Sequence, residues 1–179
     1  ELSQAFFVIA TQNPVEFQGT YPLPESQMDR FSVRLSLGFV GADDEISILD
    51  DYDRGDGSPP VDALAPCITF EQLLQLRASV RAVHVSDEIK RFIVDVVAAT
   101  RSMPAVIHGA SPRASLALMQ VSQALALFKG EDFVTADTVG SLCTEVIAHR
   151  LVLDPQAIHT GTHSASVVAE AIETVGIPH

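Results

Sequence analysis

The sequence predicts a mainly α protein with a small α/β part at its amino-terminal end. Three observations point there. Two short apolar runs read as strands, Ala5–Ala10, rich in aromatic and β-branched residues, and Ser32–Gly38, and both fall within the first 38 residues. A loop-like stretch, Tyr52-Asp-Arg-Gly-Asp-Gly-Ser-Pro-Pro60, then breaks the pattern. From Thr69 onward the chain carries helix start signals followed by apolar residues at helical spacing. The expected boundaries are 1–52 for the α/β part, 53–66 for a linker and 67–179 for a helical domain.

The first run, Ala5-Phe-Phe-Val-Ile-Ala10, delivers a polar tip, Thr11-Gln12-Asn13, to its carboxyl end, where α/β sheets bind ligands. A short helical segment around Glu25 to Asp29 follows and leaves Arg30 at its end. In the second strand Arg34 alternates outward between Val33 and Leu35 and reads as a solvated residue. Asp43, Asp44 and Glu45 suit the positive end of a helix from about 42 to 51, with Ile46 and Leu49 at helical spacing.

Thr69 and Gln72 make a capping box ahead of Leu73, Leu74 and Val80. Ser86 caps the next helix, whose apolar face is Ile89, Phe92, Ile93, Val96 and Val97. Between them Val83-His84-Val85 reads as a short extended piece. Ser111 as N-cap and Pro112 at the first helical position open a third helix. Its body, Leu116 to Phe128, is apolar nearly all round, which marks it as central, and Lys129-Gly130 ends it. Thr135 caps a fourth helix with Val139, Leu142, Cys143, Val146 and Ile147 on one stripe. His149–Leu153 reads as a short strand, with 83–85 as its candidate partner. Ser164 or Ser166 opens the last helix, with Val168, Ala171, Ile172 and Val175 inward.

Composition excludes several classes of function. The formal net charge is −12, from 11 Lys+Arg against 23 Asp+Glu. Binding nucleic acid through phosphate neutralisation needs a basic face, so no nucleic-acid partner is expected. No run of about 18 apolar residues occurs, so no membrane span is expected, and a cytoplasmic location is the default. Two cysteines give no disulfide framework, and Cys143 reads as a core thiol. No metal site is expected: His159 and His163 are four apart, but Gly161 lies between them and no Cys or acid stands close in sequence.

Three segments carry candidate chemistry. They are Ala10-Thr-Gln-Asn-Pro14, the Asp29-Arg30-Phe31 that closes the stretch from Gly19, and Gly109-Ala-Ser-Pro-Arg-Ala114. Together, and in this order, they resemble the AAA+ ATPases of the MoxR type over nearly the whole chain. The resemblance implies a partial AAA+ core, of two strands and short helices, followed by an α-helical lid bundle. It makes Asn13 the sensor 1 residue, with Thr11 and Gln12 as its supports, Arg30 an arginine finger reaching a neighbouring subunit, and Arg113 the sensor 2 cation. A neutral Asn at a strand tip can bond a phosphate oxygen or the attacking water, and a guanidinium stabilises charge on a transferring phosphoryl group. Arg113 also stands in the first turn of a capped helix, where a cation is unfavourable unless an anion joins it.

A finger acting in trans implies a homo-oligomeric ring, by analogy a hexamer, with ATP and Mg²⁺ in the full-length protein and an unidentified client protein. Chaperone-like remodelling of that client is the activity the resemblance implies. A chelatase-type AAA+ motor and a non-catalytic helical interaction module are the alternatives. No Gly-x-x-x-x-Gly-Lys-Ser/Thr phosphate loop occurs in the sequence. The expectation is therefore a carboxyl-terminal portion of a longer ATPase, inactive and free of bound nucleotide when alone.

Overall fold

The computed structural model describes residues 3, 6–12, 23–54 and 64–178. The first helical turn, α1 (Glu25–Met28), ends at Asp29, and α2 (Ala42–Arg54) follows with its three acids in the first turn. α2 runs three residues past its expected end and into the expected linker, whose residues 55–63 lie outside the described ones.

α3 (Phe70–Ala82) opens on the expected capping box: Gln72 N–H donates to Thr69 Oγ1 at 3.2 Å, and Thr69 N–H donates to Gln72 Oε1 at 2.7 Å. Ser86 caps α4 (Asp87–Ala99) by accepting from the Ile89 N–H at 3.2 Å. The five apolar residues assigned to its inner face are all buried. A three-residue strand β1 (Val106–His108) leads to α5 (Pro112–Phe128), capped by Ser111 and closed at Lys129-Gly130 as expected. α5 packs against α3 and α4 and is the central helix.

The fourth helix is divided. Thr135 caps α6 (Ala136–Gly140), and α7 (Cys143–Ile147) follows after Ser141 and Leu142. The break falls beside Gly140, a poor helix former, and the Ser141 hydroxyl donates to the Thr138 carbonyl at 2.9 Å, drawing on backbone the helix would use. A 3₁₀ turn (Ala148–Arg150) and β2 (Val152–Leu153) come next. Asp154 then caps α8 (Pro155–His159), which the sequence reading missed. α9 (Ser164–Val175) lies on α4.

The main core cluster is shared by these helices: Phe92, Ile93, Val96 and Val97 from α4, Ala114, Ala117 and Leu118 from α5, Val139, Cys143, Val146 and Ile147 from α6 and α7, and Val168 from α9; a smaller one joins Met103, Leu153, Val167 and Ala171. Each large aliphatic or aromatic side chain removed from water here contributes about 1.5–3 kcal/mol.

Three expectations need correcting. β2 pairs antiparallel with β1, with Val106 opposite Leu153, and not with 83–85. His84 instead exchanges bonds with the segment before α6, donating to the Asp132 carbonyl at 2.8 Å and accepting from the Val134 N–H at 2.9 Å. His149 and Arg150 leave the expected strand for the 3₁₀ turn because both side chains bond the Phe31 carbonyl. Finally, residues 6–10 and 32–38 are not in strands. A strand needs a partner for its backbone ladder, and no sheet among the described residues reaches either run. Leu35, Leu37, Phe39 and residues 6–9 are exposed. Only Val33 finds apolar cover, packing against the helical core, while the Arg34 N–H donates to the Glu145 carbonyl at 2.9 Å.

Candidate functional site

Ser111 begins the site because it caps the helix that carries Arg113. Its hydroxyl accepts from the Arg113 N–H at 3.2 Å, and its carbonyl accepts from the Ala114 N–H at 2.9 Å. The N–H groups of Arg113 and Ala114 are thus already used, and Pro112 has none. What α5 still offers an anion is its dipole and the Arg113 guanidinium.

An internal anion stands at this point. The Ser111 hydroxyl lies 3.1 Å from both Asp29 carboxylate oxygens and donates to them. Arg113 Nε is 3.9 Å from Asp29 Oδ2. Arg150 Nη1 donates to Asp29 Oδ1 at 3.4 Å, and its Nη2 donates to the Phe31 carbonyl. His149 Nε2 is 3.1 Å from that same carbonyl oxygen. The Asp29-Arg30-Phe31 segment is therefore fastened to the helical domain by one carboxylate and one backbone carbonyl.

Burial divides the two cations of this cluster. The Arg150 side chain is 2% exposed, that of Asp29 25% and that of Arg113 61%. Burial pulls the Arg150 guanidinium below its usual range, the Asp29 charge opposes that shift, and Arg113 adds slightly to it. Arg150 is held inside the protein; Arg113 is free to meet solvent or a ligand. Burial also pushes His149 down from 6.5, with Arg150 and Arg34 acting in the same direction and the hydrogen bond to the Phe31 carbonyl opposing it.

The remaining expected residues lie elsewhere. Arg30 is exposed and, with Phe31, Ser32 and Val33, lines an open cleft of about 910 Å³ that Phe6, Phe7 and Val8 and the α1 residues Ser26 and Gln27 also wall. No acid among the described residues pairs with it. Thr11 and Gln12 are exposed in an irregular segment that continues from Val8. Asn13 lies outside the described residues. The structure thus brings Arg113 beside the acid adjoining Arg30, and Arg30 beside the run leading to Thr11. Among the described residues no three His, Cys, Asp or Glu side chains gather as a metal site.

Sequence reasoning missed Asp29, His149 and Arg150. One signal was available for the last two: they interrupt the apolar run Val146–Leu153, and a charge set among apolar residues calls for a buried partner.

Two family profiles match the chain. Residues 98–171 match the AAA lid domain, and residues 1–33 match the ATPase family associated with various cellular activities. The chain is 40% identical over 178 residues to the uncharacterised protein YeaC of Bacillus subtilis, covering 99% of this chain and 55% of that one. It is 34% identical over 182 residues to chaperone MoxR1 of Mycobacterium tuberculosis, covering 97% and 47%. The crystal structure of a candidate ATPase from Cytophaga hutchinsonii superposes with a TM-score of 0.89 at 27% identity, over 99% of this chain and 56% of that one. The chain spans about half the length of the curated relatives it matches.

Proposed function

The chain belongs to the AAA+ ATPases of the MoxR type, and on that premise we propose that it supplies the phosphate-sensing and lid part of an ATP hydrolase that remodels a client protein. In this reading Asn13 is the sensor at the phosphate, with Thr11 and Gln12 supporting it. Arg30 is the finger offered to a neighbouring subunit of a ring. Arg113 is the cation of the lid.

The observation that carries the reading is the Asp29 cluster. The finger segment and the first turn of the lid helix share one carboxylate, through Ser111 and Arg113. Motion of the lid is then transmitted to the residue next to Arg30. Coupling between lid posture and an intersubunit charge is what a nucleotide-driven remodelling machine requires.

The residues present suit a nucleotide phosphate: Arg30 and Arg113 are exposed guanidinium groups, and a fork of N–H donors matches phosphate oxygens. They would meet the phosphate end of ATP, and Mg²⁺ would be held by residues other than a cluster among those described. When bound, the nucleotide supplies the phosphoryl group and the metal neutralises its charge. The work of this chain is to place Asn13, Arg30 and Arg113 and to move them with the lid. A chaperone-like role draws support from the name of the M. tuberculosis relative.

The test is steady-state ATPase activity of the full-length protein with Arg30→Ala subunits mixed in at increasing ratio. A finger acting in trans makes each variant subunit silence its neighbour, so activity falls faster than the wild-type fraction. Strict proportionality would remove the finger, and the ring it implies, from this reading.

A further inference from the structure

Arg113 has two possible anions, one built into the chain and one brought by a ligand. The built-in one is Asp29, and its contacts are unequal. Ser111 holds it at 3.1 Å through both oxygens and Arg150 at 3.4 Å, whereas Arg113 stands off at 3.9 Å. Arg150 is 2% exposed and cannot turn to a ligand without leaving the protein interior, while Arg113 is 61% exposed. The cluster also keeps a surplus of positive charge: Arg113 and Arg150 against Asp29 leave one net charge, beside the positive end of the 17-residue helix α5.

We infer that Asp29 is an internal competitor for the nucleotide: the Arg113 side chain exchanges between the Asp29 carboxylate and the terminal phosphate, while Arg150 and Ser111 keep Asp29 in place. This rests on the proposed role of Arg113 as a phosphate-sensing cation.

Two consequences follow from the unequal contacts. The exchange releases Arg113 alone, because Arg150 still bonds both Asp29 and the Phe31 carbonyl and keeps the finger segment docked. It also leaves Asp29 with one cation fewer on the solvent side, which raises the negative potential next to Arg30. The state of the phosphate at Arg113 is thus reported to the neighbouring side chain by charge, with no need to undock the segment. Asp29 acts as a positioning residue in this scheme: it touches Arg113 and Arg150, and the nucleotide touches Arg113.

The test uses the full-length protein and a non-hydrolysable ATP analogue as probe. Asp29→Asn keeps the size of the side chain and its bond from Ser111 but removes the charge that competes for Arg113. Affinity for the analogue is expected to rise by roughly two- to fivefold, the scale of an exposed ion pair, with no comparable change for ADP, which lacks the terminal phosphate. Asp29→Glu keeps the charge and is expected to show no such gain. Unchanged or weaker analogue binding by Asp29→Asn, or equal gains for ADP and for the Glu variant, would overturn the inference.

Arg113→Ala separates this failure from failure of the underlying role: if it leaves analogue affinity unchanged, Arg113 does not sense phosphate at all. Should Asp29→Asn fail to fold because Arg150 loses its partner, wild-type protein with ¹⁵N-labelled arginine still decides. The Arg113 Nε resonance is expected to shift on adding the analogue while the Arg150 resonance keeps its position. Equal shifts of both, or of neither, would sink the exchange.

Discussion

Asp29 and Arg150 form an ion pair at 3.4 Å across 121 positions of sequence, with the guanidinium nearly sealed from water and the carboxylate at the boundary. A buried cation is costly unless paired and bonded. Here the Phe31 carbonyl offsets part of the cost by taking a second N–H of the same side chain, while Nε is buried without a hydrogen-bond partner among the described residues. The pair therefore fixes where the segment before Val33 sits, and Val33 follows it into the apolar core.

The turn before α5 depends on Gly109. A Cβ at this position would stand 2.7 Å from Arg101 Cα and Cγ and 2.8 Å from Arg101 N. Two of those atoms are backbone at the end of α4 and cannot swing away. The same turn is tied by Ala110 N–H donating to Thr100 Oγ1 at 3.1 Å and by Arg101 Nε donating to the Ala110 carbonyl at 2.9 Å. Gly109→Ala is expected to destabilise the protein by about 1–3 kcal/mol, the range for overpacking, and to shift Ser111 away from Asp29. Thermal melting gives the first, and loss of amide-exchange protection at residues 29–31 gives the second.

His149 makes stability depend on mild acid. Its folded-state pKa lies below 6.5, chiefly because burial penalises the charged ring. A group depressed in the folded state leaves stability complete above its unfolded pKa. That stability is lost as pH falls below about 6.5 and through the folded value, because the unfolded chain takes up the proton first. Wild type is expected to lose denaturant midpoint between pH 7 and pH 5, and His149→Gln to lose less over the same window. Parallel curves for the two proteins would place the acid sensitivity elsewhere.

The two cysteines should behave oppositely. Burial, helped by Glu145, pushes the Cys143 thiol up to about 12, and its Sγ donates to the Val139 carbonyl at 3.3 Å. Cys67 is exposed. The thiolate is the reacting form, so titration with a disulfide reagent at pH 8 is expected to find one thiol in the folded protein and two in denaturant.

Much of the helical domain was legible because its signals are local. The Thr69–Gln72 capping box, the Ser86 and Ser111 caps and the spacing from Ile89 to Val97 each act within a few residues, and each forms as read. The site was legible only in part. Arg113 stood out through the Gly109–Ala114 resemblance and, independently, as a cation in a helix's first turn, where it is locally unfavourable. Asp29 was read only as the neighbour of Arg30 in its segment and given no role, since its partners are 82 and 121 positions away and nothing in sequence spacing joins them. The runs 6–10 and 32–38 carry strand composition but are not strands here. A strand, unlike a helix, cannot bond its own backbone, so composition alone does not form one.

Arg30 and Arg113 are expected to fail together. Arg113 meets Asp29, Asp29 adjoins Arg30, and Arg150 locks that segment to the lid. Both exposed guanidinium groups thus belong to one docked body of one subunit. If Arg30 serves a neighbour's nucleotide, the same docking carries Arg113 toward that neighbour too. On the proposed role of Arg113 at the phosphate, Arg113→Ala removes one charge-assisted contact, so activity of the pure variant should fall on the order of ten- to a hundredfold. The informative measurement is the mixture. Full-length Arg113→Ala subunits titrated into wild type should depress ATPase activity more steeply than their fraction, tracing a curve of the same shape as Arg30→Ala. A straight line for Arg113→Ala beside a steep curve for Arg30→Ala would assign the two arginines to different nucleotides, and the Asp29 link between them would then be a contact inside one subunit with no shared phosphate.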